Sequence, residues 1–122
     1  MDEKTLGKAG EEAAASYILD TLKYTLLKQN YRSRIGEIDL IAQDGSTLVF
    51  IEVKTRRSKR CGRPAEAVER QKQRKISLAA QAYMAQYNCW HRPCRFDVIE
   101  VMPSLQGTFY IHHIRHAFLS QT

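Results

Sequence analysis

Three residues in the middle of the chain have side chains that can bind a divalent cation and act on a phosphate ester. Asp39 lies in the segment GEIDLI (residues 36–41), and Glu52 and Lys54 lie in FIEVK (residues 50–54). Carboxylate oxygens suit Mg²⁺, and a bound metal ion lowers the pKa of the attacking water. A neighbouring ammonium stabilises charge on a phosphate or helps to orient or deprotonate that water. The pattern therefore indicates a metal site for phosphodiester hydrolysis.

The same residues also have a purely structural interpretation. Side chains alternate across a strand, so Glu52 and Lys54 share one face and lie about 6.6 Å apart along it. They follow an apolar run, residues 48–51, that is expected to be covered on both faces. An unpaired charge there costs several kcal/mol, and an ion pair of Lys54 with Glu52 or Asp39 would remove that cost. Spacing alone favours this ion pair over a metal site.

The length of the turn between the two segments decides whether Asp39 and Glu52 face the same side of the sheet. Asp44-Gly45 is a strong turn signal, so residues 37–43 and 47–55 are expected to form a hairpin. In an antiparallel pair of strands, the residue numbers of two directly opposed positions always add up to the same sum. An odd sum, from a two- or four-residue loop, puts Asp39 on the face of Glu52, and an even sum puts it on the other face. Both outcomes remain open.

A basic segment begins at Lys54 and extends to Lys75. It contains ten Lys or Arg and two Glu, a charge of +8, whereas the whole chain carries +6. Such a local concentration is typical of proteins that bind a polyanion, although a solvated basic face gives the same pattern. If nucleic acid binds, these side chains contact phosphates without reading the base sequence. The candidates are Arg56, Arg57, Lys59, Arg60 and Arg63, and also Lys72, which could reach either a phosphate or the acidic residues from its helix.

Length and hydrophobic periodicity predict one α/β domain that spans residues 1–122. Of the 122 residues, 43% are hydrophobic and 26% are charged, which is ordinary globular composition. A strand, a long helix and another strand in succession allow a parallel crossover, so we expect a mixed β-sheet flanked by helices. The predicted helices cover residues 5–22 and 64–87, and the predicted strands cover residues 24–32, 37–43, 47–55, 94–102 and 108–114.

Composition argues against a membrane protein. The longest charge-free, largely apolar stretch covers residues 13–19, far short of the about 18 residues that cross a bilayer. The first residues contain no apolar signal segment. A cytoplasmic location without membrane contact is therefore expected.

The cysteines do not predict a disulfide framework or a metal centre. There are three of them, Cys61, Cys89 and Cys94, which is an odd number. A zinc site that includes Cys89, His91 and Cys94 lacks the spacing of a CxxC knuckle. Buried or incidental thiols are the favoured interpretation.

Asp39 followed by Glu52-x-Lys54 resembles the Asp…Glu-x-Lys signature of restriction-endonuclease-like nucleases. Further motifs, from residue 7 to residue 101, together resemble the YraN-type family of small bacterial proteins. They are Gly7-x-x-Gly10-Glu11, Asn30-Tyr31-Arg32, residues 36–41, residues 50–56, Gly62-x-Pro64-Ala65-x-Ala67-Val68, Lys72 and Arg95-Phe96-Asp97-Val98.

This resemblance implies a restriction-endonuclease-like core of the order α-β-β-β-α-β-β, similar to archaeal Holliday-junction resolvases. It implies that Asp39 and Glu52 bind Mg²⁺ or Mn²⁺ and that Lys54 is the catalytic lysine. A glutamate of the first helix, Glu11 or Glu12, would complete the acidic cluster. Glu11 is preferred because it lies on the inward stripe of that helix with Ala14 and Ile18. The structural interpretation of either glutamate is favourable placement near the positive end of the helix dipole.

Two functions of different classes follow. The first is a metal-dependent endonuclease that hydrolyses phosphodiester bonds in DNA, branched DNA included, and that acts as a homodimer by analogy with the resolvases. The second is a non-catalytic module of the same fold that binds nucleic acid or a protein partner. Cleavage that depends on Asp39, Glu52 and Lys54 distinguishes the first from the second.

Overall fold

The computed structural model describes residues 2–57 and 68–122 and consists of one five-stranded sheet between two helices. This confirms the expected α/β fold with a mixed sheet flanked by helices. The elements in chain order are α1 (Glu3–Ser16), a π-helical turn (Tyr17–Thr21), β1 (Thr25–Arg32), β2 (Glu37–Asp44), β3 (Thr47–Thr55), α2 (Arg70–Gln86), β4 (Cys94–Pro103) and β5 (Phe109–Phe118).

The strands lie side by side in the order of the chain, β1-β2-β3-β4-β5. Only β3 and β4 pair in parallel, and the other three pairs are antiparallel. A parallel pair needs a crossover connection, and α2 lies in it, as the sequence predicts. The run Leu48, Val49, Phe50 and Ile51 of the central strand is fully buried, which confirms that both faces are covered.

Each helix packs on its own face of the sheet. Ala14 and Ile18 of α1 and the following turn contact one apolar cluster that includes Ile51 and Ile99. On the other face, α2 packs through residues such as Ile76 against a cluster that includes Phe50. Within the two described ranges, no helix is long and apolar enough to cross a bilayer.

The first helix differs from its prediction at both ends. It begins at Glu3 because Asp2 caps it, with Oδ1 accepting a hydrogen bond of 2.7 Å from the Thr5 amide. Regular α-helix ends at Ser16, and one π-helical turn continues to Thr21. A hydrogen bond of 2.8 Å from the Tyr24 amide to the Ile18 carbonyl then directs the chain into β1.

The prediction that the second helix begins at Pro64 falls outside the described residues, but its extension through Val68 is wrong. Glu69 is extended, with φ −63° and ψ 145°, and helix begins at Arg70. Val68 packs instead against Val98 of β4, and its carbonyl accepts a 2.8 Å hydrogen bond from the Gln73 amide group. Burial of Val68 against the sheet therefore decides where the helix starts.

Two of the three cysteines lie in the described residues, and both are free thiols. Cys89 is buried in the cluster beneath α2, and Cys94 is exposed at the start of β4. Cys61 lies outside the described residues.

Candidate functional site

A two-residue turn sets the register that joins Asp39 to Glu52. Asp44 pairs with Thr47, and Gly45, with φ +60°, takes the left-handed backbone that the turn requires. Paired positions along β2 and β3 sum to 91, an odd number. Of the two registers left open by the sequence, this is the one that brings Asp39 to Glu52.

Asp39 lies where the β2–β3 ladder ends, one residue before the last pair, Leu40 with Ile51. Opposite it on β1, Asn30 has a left-handed backbone with φ +52°, which asparagine tolerates better than most residues. Asp39 Oδ2 accepts a hydrogen bond of 2.8 Å from the Val53 amide. The Asp39 carboxylate thus binds a backbone amide of β3 and is held beside the strand that carries Glu52.

Glu52 is a buried acid with an unusual protonation equilibrium. Its exposure is 9%, and it follows Phe50 on the face of the sheet that α2 covers. Burial raises the pKa of Glu52 to about 8, and the charge of Asp39 and a hydrogen bond with its carboxylate act in the same direction. Lys72 Nζ of α2 lies 3.4 Å from Glu52 Oε2 and opposes that increase in pKa. Two carboxyl groups therefore converge here with one ammonium.

Glu11 lies on the opposite side of Asp39 from this ammonium. It is partly buried, whereas Glu12 is exposed, and both line a small hollow of about 120 Å³ with Asp39 and Lys8. Burial raises the pKa of Glu11, and the charges of Asp39 and then Glu37 raise it further. Glu11 is thus electrostatically linked to Asp39 across the hollow.

Close contact between α1 and β3 fixes the position of Glu11. A Cβ atom at Gly10 would lie 2.1 Å from Thr55 Oγ1, which is closer than a Cβ atom can approach another heavy atom without a shift of one of them. Only glycine permits this approach of the helix to the strand. The glutamate that follows Gly10 is therefore held near the end of β3, where Glu52 and Lys54 lie.

The predicted basic residues fall in different surroundings. Lys54 is partly exposed on β3 and shares the face of Glu52 by strand alternation. Arg56 is largely buried and forms a salt bridge with Glu100 of β4, and Arg57 forms an exposed one with Glu3 at 3.1 Å. Lys72 pairs with Glu52, as described above. Lys59, Arg60 and Arg63 lie outside the described residues.

The donor set of this site fits a magnesium or manganese ion. In residues 2–57 and 68–122 no three His, Cys, Asp or Glu side chains form a ready metal cage. Mg²⁺ commonly binds through one or two carboxylates and completes its shell with water and substrate phosphate. Asp39 and Glu52 supply such a pair, and burial together with the charge of Asp39 raises the pKa of Glu52 to about 8. The residues that would hold the ion are Asp39 and Glu52, with Glu11 across the hollow.

Comparison with known proteins places the chain in a family. The model of the uncharacterised protein family UPF0102 matches residues 10–101. The chain belongs to the UPF0102 family. This confirms the resemblance to the YraN-type family that the motifs indicate.

UPF0102 relatives match this chain over nearly its whole length. A UPF0102 protein of Symbiobacterium thermophilum is 49% identical over 115 residues, which are 94% of this chain and 97% of the relative. A relative in Geotalea uraniireducens is 44% identical over 96% of this chain and 91% of its own. One in Chlorobium chlorochromatii is 48% identical over 93% and 90%. All three are similar in length to this chain.

The other buried acid of the described sheet, Asp97, belongs to a separate network on the α1 face. Asp97 accepts a hydrogen bond of 3.1 Å from Arg95 and pairs with His113 of β5 at 2.8 Å. Arg95 also donates to Asp44 at 3.0 Å and to the Tyr24 hydroxyl at 2.7 Å. No local spacing in the sequence reveals contacts among residues this far apart.

Sequence reasoning also missed a basic cleft beside the carboxylate pair. Its cations are Arg32 and Arg34 at the end of β1 and Lys72 and Lys75 of α2. The available signal was the Arg-x-Arg pair immediately before the segment that contains Asp39. That pair is a weak signal beside the ten Lys or Arg of residues 54–75, among which Lys72 is already a candidate.

Proposed function

We propose that this UPF0102 protein is a metal-dependent endonuclease that hydrolyses phosphodiester bonds in DNA. One observation carries the proposal: the pairing of β2 with β3 brings Asp39, held by the Val53 amide at 2.8 Å, to the buried Glu52, whose pKa is raised to about 8 by burial and by Asp39. Two acids in this relation are unfavourable without a cation, and perturbed acids beside a cleft are typical of functional sites. The family assignment is compatible with this activity and does not itself name one.

Each residue of the site has a distinct part in the proposed reaction. Asp39 and Glu52 hold Mg²⁺ or Mn²⁺, and Glu11 adds negative charge across the hollow. When bound, the ion lowers the pKa of the attacking water and neutralises charge on the phosphate. Lys54, on the face of Glu52, stabilises the developing negative charge or orients that water. Branched DNA belongs among the substrates to be tested, and a homodimer would supply the two sites that symmetric cleavage of a junction needs.

A second function is favoured by the ion pair between Lys72 and Glu52. At 3.4 Å, this pair already offsets part of the negative charge of the acids without a metal ion. The hydrogen bond from Val53 gives Asp39 a structural role as well. On these contacts, the protein would be a module that binds nucleic acid or a protein partner and does not cleave.

Cleavage assays with matched variants separate the two functions. Duplex, single-stranded, flap and four-way-junction DNA and an RNA strand, each end-labelled, are incubated with the protein in Mg²⁺ or Mn²⁺. The variants Asp39→Asn, Glu52→Gln and Lys54→Met remove the proposed groups. Asp20→Asn, an exposed acid in the π-helical turn, is the control. Binding to the same substrates is measured in EDTA.

The endonuclease predicts that each of the three variants reduces cleavage by at least about 100-fold, a loss typical of an essential electrostatic or proton-transfer group. Asp20→Asn should cleave as the unmodified protein does, and all variants should still bind. Binding of DNA without cleavage in either metal would contradict the endonuclease and support the module. Cleavage that survives Asp39→Asn and Glu52→Gln would place the active site elsewhere.

A further inference from the structure

The basic cleft lies between the start of α2 and the loop that joins β1 to β2. Its volume is about 340 Å³, and Ser33, Ile35, Gly36 and Glu37 line it together with its four cations. Glu37 is the one carboxylate among these lining residues. It forms a salt bridge of 3.5 Å with Arg32, in which both side chains are more than half exposed. Such an exposed pair contributes little, so Arg32 can exchange Glu37 for another anion.

Hydrogen bonds within the loop hold this side of the cleft in one conformation. Ser33 Oγ donates to the Gly36 carbonyl at 2.9 Å and accepts hydrogen bonds from the amides of Ile35 and Gly36. The Ser33 amide also donates to the Gly36 carbonyl at 2.9 Å. These bonds fix the short loop on which Arg34 lies, so the cleft exists before any ligand binds.

The loop is also pressed against α2. A Cβ atom at Gly36 would lie 2.8 Å from the Lys75 carbonyl oxygen, and that oxygen belongs to helix backbone that cannot move aside cheaply. The two walls of the cleft are therefore held at a set separation by a contact that requires glycine. Arg32 and Arg34 on one wall face the α2 wall with Lys72 and Lys75.

Lys72 connects the cleft to the carboxylate pair. It lines the cleft, and its Nζ atom lies 3.4 Å from Glu52. On the far side of Asp39 lies the small acidic hollow with Glu11. The site therefore has acids on the side of Asp39 and Glu11, which suit a cation, and basic residues on the side of Lys72, which suit a phosphodiester.

We propose that the cleft binds the phosphodiester backbone of the DNA strand next to the phosphate at Asp39 and Glu52. This rests on the proposed function for its substrate class. Arg32, Arg34 and Lys75 each contact a backbone phosphate, and Lys72 lies at the boundary between the cleft and the acids. These contacts set the strand's position and carry no base specificity.

Salt-dependent binding tests this site without relying on cleavage. A fluorescein-labelled single strand and the matching duplex are titrated with protein in EDTA over a series of KCl concentrations, and anisotropy is recorded. The test variant is Arg32→Gln/Arg34→Gln/Lys75→Gln. Lys72 is left unchanged because its removal would also alter Glu52. The control is Arg115→Gln, an exposed arginine on β5 at the opposite edge of the sheet.

The triple variant should bind at least about tenfold more weakly, and its plot of log K against log salt should be shallower by about 1 for each lost contact. Arg115→Gln should change the slope by less than that. A second variant, Gly36→Ala, keeps every charge but forces the walls apart, and it should weaken binding as well. Circular dichroism and urea denaturation of all variants verify that they are folded.

The outcomes separate this site from the proposed endonuclease. A triple variant that binds like Arg115→Gln overturns the cleft, whether or not the protein cleaves. Weakened binding without any cleavage by the unmodified protein supports the cleft and contradicts the endonuclease. If both hold, the triple variant should raise KM more than it lowers kcat. Absence of DNA binding by the unmodified protein overturns both.

Discussion

Glu52 and Asp97 are the two buried acids of the described residues, and the same sheet treats them in opposite ways. They lie on neighbouring strands, β3 and β4, but on opposite faces. Burial raises the pKa of Glu52 to about 8. Burial also acts to raise the pKa of Asp97, but hydrogen bonds from His113 and Arg95, the Arg95 charge and the His116 amide outweigh it and lower that pKa. Asp97 therefore has enough hydrogen-bond donors and positive charge to stay ionised, whereas Glu52 does not.

The difference separates an acid whose charge is fully compensated by its neighbours from one whose charge is not. Asp97 is fully buried and makes contacts with two side chains and one backbone amide. Such a complete network stabilises the fold and leaves no capacity for a ligand. Glu52 instead lies against a second carboxylate and one half-exposed lysine. These contacts supply Glu52 with the positive charge of a single side chain.

The strongest test removes the charge of Asp97. Asp97→Asn should lower the free energy of unfolding by about 3–5 kcal/mol, because it leaves the buried Arg95 guanidinium without the fully buried one of its two carboxylate partners. Urea denaturation at neutral pH measures this loss. The double variant Arg95→Met/Asp97→Leu should recover part of it, since replacing both charges removes the unpaired one.

The sign of the pH dependence provides a check on that result. The pKa of Asp97 is lowered in the folded protein, so its contribution is present above its ordinary pKa of 3.8 and is lost as the pH falls through the folded value. The difference between Asp97→Asn and the unmodified protein should therefore shrink in acid. A difference that is the same at all pH values would contradict the ionic role of Asp97.

Removal of the charge of Glu52 should have the opposite effect. Because its folded pKa is raised, the stability it contributes is present below its ordinary pKa of 4.5 and is lost as the pH rises to about 8. Glu52→Gln should thus become more stable than the unmodified protein across this interval, by a few kcal/mol at about 1.4 kcal/mol per pKa unit. Urea denaturation in EDTA from acid to mildly alkaline pH follows the difference.

Asp20→Asn is the control for this series, because Asp20 is exposed. It should show no divergence from the unmodified protein as the pH rises. A Glu52→Gln variant that is destabilised at pH 8 would mean that the ion pair with Lys72 outweighs the cost of burying the charge.

Gly10 tests whether packing holds the acidic side of the site in place. Gly10→Ala should lower the free energy of unfolding by about 1–3 kcal/mol, since its Cβ would lie 2.1 Å from Thr55 Oγ1. Gly7→Ala on the same helix is the matched control, because nothing lies within 4 Å of its Cβ. It should stabilise the helix by up to about 1 kcal/mol. Equal effects of the two substitutions on urea denaturation would contradict the close contact.

The smallest expected effect compares two adjacent glutamates. Glu11→Gln should reduce cleavage by about tenfold, close to 1.4 kcal/mol, because Glu11 interacts with Asp39 across the hollow. Glu12→Gln should reduce it by less than about twofold, a change near the limit of a kinetic comparison. Single-turnover cleavage of one labelled substrate measures both. A larger loss for Glu12→Gln would reverse the preference for Glu11.

Much of the fold could be predicted from local patterns, because the strongly periodic or wholly apolar segments leave few alternatives. The central strand at residues 47–55 has the predicted bounds, and the elements follow one another in the predicted order. The start of α2 could not be predicted, since it depends on the packing of Val68 against Val98, a contact between distant parts of the chain. The π-helical turn has no sequence signal comparable to a cap.

The sequence identifies which residues are candidates for the site, but it does not predict how they are arranged relative to one another. Spacing placed Glu52 on a buried strand, but the turn length that brings Asp39 to it was left open, because both common loops fit the sequence. The position of Lys72 on one stripe of α2 allowed it to reach either a phosphate or the acids, and only the packing of α2 decides that it pairs with Glu52. The same holds for Asp97 and His113, which are paired through adjacent strands β4 and β5.

The two-residue turn at Gly45 restricts how this protein can evolve. If a one-residue insertion or deletion there is met by a one-residue slip of the pairing, every side chain of β2 changes faces relative to β3. Asp39 would then leave Glu52, although the turn lies at the other end of the hairpin. An added residue that stays within the loop keeps the pairing of Asp44 with Thr47 and leaves the faces as they are. Lineages that retain the acidic pair should therefore accommodate extra residues within this loop and leave the strand pairing unchanged.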